Sequence, residues 1–252
     1  MTYSISVSGT PEYRAGGPNQ ETVDDVREAR VTETRVTETK DTPPESARDQ
    51  IIRAAARQFS VRPYHLVSLD DILAEAEVTK GAMYFHFESK YALAVVIIER
   101  YAELGRTTVR EQIHLQRSAL ETLIDISYLM AVQDVTQDTA RAGVHLLDAI
   151  GRMDNLHANQ MSDWITTFGD ISRRAVEEGD ILTGSDPLEI SHLLVSLYAG
   201  LRQTTAFQDA GTLLVSLEKS WILVLPGFVD PSRVAYFSQL VRRRTRVALK
   251  KL

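Results

Sequence analysis

Large apolar residues are sparse over the first 44 positions and then recur every three or four residues to the end of the chain. Ile51, Ile52, Ala55 and Phe59 predict a first helix with one buried side, starting after Pro43-Pro44. Leu69, Ile72 and Ala76 share one face of a second helix. Ser68 is its N-cap, and Asp70 and Asp71 sit in the first turn, where the helix dipole favours anions. Glu77-Val78 makes a short turn with Val78 as an apolar plug, and Thr79 caps a third helix. Met83 and Phe87 point inward from that helix, towards Val78 and Ile72. Ser89 caps a long fourth helix, in which Tyr91, Leu93, Ala94, Ile97, Ile98, Tyr101 and Leu104 recur at helical spacing past Arg106.

Further helical segments are expected over Ala119–Val135, Thr139–Ile150, Asn159–Glu178, Pro187–Phe207, Thr212–Leu225 and Pro231–Leu249. Asp186-Pro187 and Asp230-Pro231 read as an N-cap followed by Pro at the first helical position. Gly179 and Pro226-Gly227 read as stops. No segment predicts a strand, so the expected fold class is all-α. The expected organisation is a disordered tail over 1–44, a three-helix domain over 45–90 and a larger helical domain over 91–252. The tail holds a five-residue tandem repeat, Arg30-Val-Thr-Glu-Thr followed by Arg35-Val-Thr-Glu-Thr. Threonine and charge fill most of its positions, which opposes an ordered strand.

The second and third helices form a helix-turn-helix, whose second helix enters the DNA major groove. Gly81 and Ala82 carry almost no side chain, so backbone there approaches phosphates closely. Lys80 and Tyr84 suit phosphate contacts, and Ala82 suits a thymine methyl. Thr79 and Phe85 share the groove-facing side, and His86 and Lys90 suit the backbone at its far edge. Ser68 offers a hydroxyl and a helix N-terminus to a phosphate.

The composition changes this picture little. The chain has 252 residues and a formal net charge of −6, which argues mildly against a nucleic-acid partner. Charge acts locally, however, and Arg53, Arg57, Arg62, Lys80 and Lys90 surround the proposed reading helix. There are no cysteines, which excludes disulfides and thiolate metal sites. The apolar runs Leu193–Leu201 and Trp221–Val229 are too short to span a bilayer, and no secretory signal opens the chain. No membrane partner, no metal and no cofactor are expected, and the expected compartment is cytoplasmic.

The run Val78-Thr79-Lys80-Gly81-Ala82-Met83-Tyr84-Phe85-His86-Phe87, with Lys90 beyond it, resembles the DNA-binding region of the TetR family of bacterial repressors. Ala54, Ala55, Phe59, Ser68, Ile72 and Ala76 extend the match, which runs from about Arg48 to Arg106. There are two departures. Glu77 stands where the family usually has Gly, and Val61-Arg62-Pro63-Tyr64-His65 replaces the usual Gly-aromatic link. The resemblance implies a homodimer on a pseudo-palindromic operator, with half-sites about one helical turn (~34 Å) apart. It also implies a C-terminal half that binds a small molecule and dimerises.

In that half, Leu193, Leu194, Leu197, Tyr198 and Leu201, with Leu213, Leu214, Leu217, Trp221, Leu223 and Val224, suit either a symmetric four-helix interface or an intramolecular core. Middle helices mix aromatic and polar groups, as a ligand pocket requires: Tyr128, Gln133, His145, Trp164, Thr167 and Phe168 are the candidates. Asp163-Trp164 and Lys219-Ser220-Trp221-Ile222-Leu223 with Gly227 are similar to the γ-butyrolactone autoregulator receptors, a TetR-like subgroup controlling antibiotic biosynthesis and differentiation. This resemblance implies that Trp164 lies in the pocket and is needed for the response to a γ-butyrolactone, butenolide or furan effector. The alternatives are a TetR-like sensor of another ligand class, such as a drug or fatty acid, and a pseudo-receptor responding to antibiotics. Catalysis has little support. Ser216-Leu-Glu-Lys219 lacks companion motifs, the histidines show no metal spacing, and there is no glycine-rich phosphate loop. The basic run Arg242-Arg243-Arg244-Thr-Arg246, then Lys250-Lys251, reads as a solvated helix end whose cations complement the dipole, with added DNA contacts as the alternative.

Overall fold

Short polar side chains fix where most of the helices begin. In the computed structural model, which describes residues 46–205 and 210–252, Ser46 accepts from the Asp49 amide (3.2 Å) and starts α1 (Ala47–Val61). Ser68 and Asp71 form a reciprocal capping box at α2 (Leu69–Ala76). Thr79 caps α3 (Lys80–His86) and Ser89 caps α4 (Lys90–His114), each accepting from the amide three residues on. Capping satisfies amides that the helix itself leaves without partners.

The remaining helices are α5 (Ala119–Thr136), α6 (Asp138–Ile150), α7 (Leu156–Glu177), α8 (Pro187–Thr204), α9 (Ala210–Val224) and α10 (Val234–Leu249). The fold is all-α, and among the described residues one isolated antiparallel bridge joins Ile181 to Val229. Asp186 caps α8 with Pro187 in its first turn, as its sequence predicts. At the other Asp-Pro pair the expectation fails. Asp230 accepts from the Ser232 amide (2.9 Å), its carbonyl from the Arg233 amide (2.8 Å), and this turn delays α10 until Val234. The expected tail over 1–44 and the end of the helix expected over Pro187–Phe207 lie outside the described residues.

Two apolar cores fill the unit that runs from Pro44 to the C-terminus. One joins α1–α3 and the first half of α4 to α6, with Phe59, Ile72, Met83, Leu93 and Ile97 fully buried. The other gathers α5, α7, α8, α9 and α10. Apolar packing therefore crosses the expected boundary at 90/91: Ala140–Ile150 of α6 sit in the same core as the helix-turn-helix. Among the described residues no helix is long and apolar enough to cross a membrane.

Candidate DNA-reading surface and effector cavity

The turn before α3 is tight enough to place Glu77 in the left-handed region, at φ 54°. This is the position where the sequence departs from Gly, and the backbone there carries a side chain at a steric cost. Met83 and Phe87 are buried, as predicted, and Val78 is half-buried. They hold α3 against α1 and α2. The opposite side of α3 faces outward. Phe85 is 82% exposed and Tyr84 51%, while Thr79, Lys80 and Gly81 are exposed and Ala82 and His86 half-buried. A Cβ added at Gly81 would meet little but the Thr79 hydroxyl oxygen, 3.9 Å away. The Phe85 and His86 rings meet edge to face at 5.0 Å.

Two residues expected at this surface are committed elsewhere. The Lys90 ammonium donates to the carbonyls of Tyr64 (2.9 Å) and Val67 (2.8 Å) and lies 4.3 Å from the centre of the Tyr64 ring. It tethers α4 to the link after α1. The Ser68 hydroxyl is engaged with Asp71, donating to its carboxylate (2.8 Å) and accepting from its amide (3.1 Å). Those bonds from Ser68, backbone first, hold the Asp71 carboxyl below its usual range. What Ser68 leaves open is the end of α2, not a free hydroxyl.

An enclosed cavity of the C-terminal half lies between α4, α5, α7, α8 and α9. It measures about 40 Å³. That is small beside the ~300–1,000 Å³ of typical ligand sites, so a larger guest must open it. Apolar groups dominate its lining: Leu123, Met130, Trp164, Phe168, Leu217 and Trp221. Trp164 is only 8% exposed and packs on Phe168 with ring centres 5.7 Å apart. The Trp221 indole donates to the Ser127 hydroxyl at 2.9 Å.

Polar side chains also line the cavity, among them Tyr101 of α4, Gln160 of α7, and Tyr198 and Arg202 of α8. Arg202 donates from Nη1 to the Tyr101 hydroxyl (2.6 Å), and the same nitrogen is 3.6 Å from Asp134 Oδ2. The Tyr198 hydroxyl donates to that carboxylate oxygen at 2.7 Å. Asp134 itself lies behind the lining, with its side chain 1% exposed. Burial pushes its carboxyl up, and Arg202 and the neighbouring phenols pull it back. Desolvation, with the adjacent Asp134, also raises Tyr198 far above the ordinary phenol range.

Of the six ligand candidates, the cavity brings together two, Trp164 and Phe168. The other four lie outside its lining. The Tyr128 hydroxyl shares a 2.7 Å hydrogen bond with Thr245, which fastens α5 to α10. Gln133 donates to Thr108 of α4 at 2.8 Å. His145 Nδ1 lies 3.0 Å from the Phe59 carbonyl, where α6 meets α1. Thr167 borders a shallow outer depression beside Arg106 and Asp163. Sequence reading missed Gln160, Arg202 and Asp134 as a group. The available signal was an Asp and an Arg set among apolar neighbours on α5 and α8. Tyr101 and Tyr198 fit the apolar periodicity of α4 and α8, which hides their polar role.

The expected interface residues divide in the same way. Leu194, Leu213, Leu214, Leu217 and Trp221 are intramolecular core. Leu193 (43% exposed) and Leu223 (81% exposed) remain on the outer faces of α8 and α9.

A helix-turn-helix whose core shares a long helix with an internal cavity is the architecture of a one-chain transcriptional regulator. Residues 51–97 match the description "Bacterial regulatory proteins, tetR family". The chain is 30% identical over 188 residues to the A-factor receptor protein of Streptomyces griseus, covering 74% of this chain and 65% of the receptor's length. It thus spans slightly less than two thirds of that relative. The solved structure of CprB, described as a TetR family protein from S. coelicolor A3(2), is 31% identical and superposes with a TM-score of 0.69, covering 80% of this chain and 98% of that one. A CprB structure in complex with its biological operator sequence is 30% identical with a TM-score of 0.67, covering 79% of this chain and 96% of that one. The chain belongs to the TetR family of bacterial regulators, and within it is related to γ-butyrolactone receptors.

Proposed function

We propose that this protein is a ligand-released repressor: a homodimer binds a pseudo-palindromic operator in the cytoplasm, and a γ-butyrolactone, butenolide or furan signal removes it, controlling antibiotic or other secondary-metabolite genes. One observation carries the reading. Tyr101 lines the cavity and is also part of the core that seats the helix-turn-helix. A guest that moves α4 therefore moves the base of α3. Thr79, Lys80, Gly81, Ala82, Tyr84, Phe85 and His86 form the reading surface, joined by the α2 end at Ser68. Leu193 and Leu223 belong to the face that a second copy covers.

The small cavity supports release by ligand. A molecule too large for it favours a conformer with α4 displaced, and that preference is the coupling energy, typically ~1–3 kcal/mol. A ligand indifferent to the two conformers leaves the operator occupied. A second reading is a TetR-type sensor of a drug or fatty acid, which the largely apolar lining also favours. A gel-shift titration on the promoters beside the gene tests both, with lactones, furans and fatty acids added to the preformed complex. Release by the first two groups supports the main reading, and release by fatty acids alone supports the second. A protein that ignores every duplex at low salt ends both.

A further inference from the structure

Arg242, Arg243 and Arg244 form one run in the sequence, but the fold separates the third from the others. Arg242 and Arg243 are exposed on α10, whereas Arg244 turns towards α5 and holds Asp125 with two donors, Nε to Oδ1 and Nη2 to Oδ2 (2.9 Å for the second). Arg117, in the link between α4 and α5, donates from Nη1 to the same carboxylate and from Nη2 to Gln112 Oε1 (2.7 Å). Asp125 is 3% exposed, while the Arg117 and Arg244 side chains keep 29% and 27% of their surface. All three residues line one cleft, together with Lys251. The lining includes no acid besides Asp125, so three cations against one anion leave an excess of two positive charges. A guanidinium carries five N–H donors. Among the described residues, the bonds to Asp125 and Gln112 occupy two on each arginine.

The cleft measures about 200 Å³ and lies between the end of α4, α5 and α10. Beside the charged groups its walls are apolar: Leu115, Leu129, Val132 and Val247. The Tyr128–Thr245 hydrogen bond joins α5 to α10 beside it, so the walls are held together before any guest arrives. Helix α5 separates the cleft from the internal cavity. Leu123, Ser127 and Met130 line the cavity, whereas Asp125, Leu129 and Val132 line the cleft, and at helical spacing the two sets fall on opposite faces. No residue belongs to both linings.

We propose that this cleft is a second ligand site, which takes a small amphipathic oxyanion. A carboxylate or phosphate monoester head sits at Arg117, Arg244 and Lys251, and a short alkyl chain lies along Leu115, Leu129, Val132 and Val247. Paired guanidinia suit both heads, because their N–H forks match carboxylate and phosphate oxygens. Asp125 is a positioning residue: it orients both guanidinia and neutralises only one. A neutral head of the same size gains the chain contacts but not the charge-assisted bonds.

The test titrates the full-length protein by calorimetry with octanoate, octyl phosphate and octanol, which share a chain and differ in the head. Both anions are expected to bind, and octanol at least about tenfold more weakly. Octanoate ahead of octyl phosphate assigns the site to carboxylates, and the reverse order assigns it to phosphate monoesters. Arg117→Gln leaves Asp125 held by Arg244, so no buried carboxylate is stranded. It should weaken both anions by about tenfold. Val247 is an exposed position of the same wall, where substitution does not threaten the fold. Val247→Glu sets a carboxylate before the cations and should abolish anion binding, while Val247→Gln, of equal bulk, should retain most of it. Trp164→Phe, in the internal cavity, should leave the anion constants unchanged. The proposal is overturned if neither anion binds at millimolar concentration, if octanol binds as tightly, or if Val247→Glu and Val247→Gln behave alike. It is also overturned if Trp164→Phe loses binding that the cleft variants keep, which would move the anion to the cavity. Operator binding plays no part in this titration. A protein that takes the anions but no duplex refutes the repressor reading alone, and one that takes the operator but no anion refutes this site alone.

Discussion

The absent side chain of Gly105 is replaced by the indole of Trp164. A Cβ built at Gly105 would lie 2.7 Å from both Cζ2 and Cη2 of that ring, closer than side chains approach. Gly105 is on α4, the helix rooted in the helix-turn-helix core, and Trp164 is a wall of the cavity. One turn earlier on α4, Tyr101 lines the same cavity and fills the space at Gly143 of α6. The cavity thus touches α4 directly through Tyr101 and at one remove through Trp164.

Gly105→Ala should act as a wedge. Helix propensity favours alanine by roughly 1 kcal/mol, but overpacking against a rigid ring typically costs ~1–3 kcal/mol. The expected outcome is slightly lower thermal stability and weaker operator binding without effector, because α4 is displaced as a guest would displace it. Trp164→Phe removes the ring edge that the new methyl strikes, so the double variant should recover operator binding. A double-mutant cycle on stability and shift-assay affinity reads the coupling, and additive effects would separate the two residues.

Trp164→Phe alone should leave repression intact and impair the response. The smaller ring transmits less of a ligand's bulk to Gly105, and about 1.4 kcal/mol of lost coupling raises the half-release concentration about tenfold. Trp164→Ala is the harsher test, since removing so large a buried side chain costs ~3–5 kcal/mol in a core. Half-release concentrations equal to wild type in the Phe variant would take Trp164 out of the signal path.

Glu77→Gly should stabilise the protein without changing what it binds. Left-handed backbone costs a non-glycine residue ~1–2 kcal/mol, and glycine returns part of this as greater freedom in the unfolded chain. A gain of about 0.5–1 kcal/mol in denaturant unfolding is expected, with the operator constant unchanged. The Glu77 side chain is exposed and no part of the proposed reading surface.

The helices of the DNA-reading half were legible because caps and apolar periodicity agreed at Ser68, Thr79 and Ser89. The long-range polar pairs were not. Lys90 sits beside the reading helix in sequence, yet its ammonium turns back 26 residues to the Tyr64 carbonyl. His145, Gln133 and Tyr128 have the composition of a pocket but bond across helix contacts instead. Nothing local distinguishes a hydrogen bond to a neighbouring helix from one to a ligand. Resemblance points to Trp164 and the mix of aromatic and polar residues to Phe168, whereas the Asp134–Arg202 pair depends on α5 and α8 meeting 68 residues apart in sequence, which no periodicity reveals.

Tyr84→Ala and His86→Ala should each abolish tight operator binding while the protein remains folded and dimeric. Tyr84 is half exposed on α3, and neither side chain belongs to the core that seats this helix. Circular dichroism and sedimentation should match wild type. Normal operator affinity in both variants would remove α3 from the interface.

Lys80 and Lys90 give the sharpest contrast, because both are cations of the same motif with opposite surroundings. Lys80 is exposed at the start of α3, whereas Lys90 is held by two carbonyls and an aromatic face. Neutralising a phosphate contact lowers the slope of log affinity against log salt by about one unit. Lys80→Ala should show that change with unaltered stability. Lys90→Met should leave the slope in place and instead lower unfolding free energy by about 1.5–3 kcal/mol, the range for hydrogen bonds from a charged donor. Its operator binding should fall uniformly across salt concentrations, as the link at Tyr64–Val67 loosens from α4. A reduced slope for Lys90→Met would return that residue to the DNA backbone, and an unchanged slope for Lys80→Ala would remove Lys80 from it.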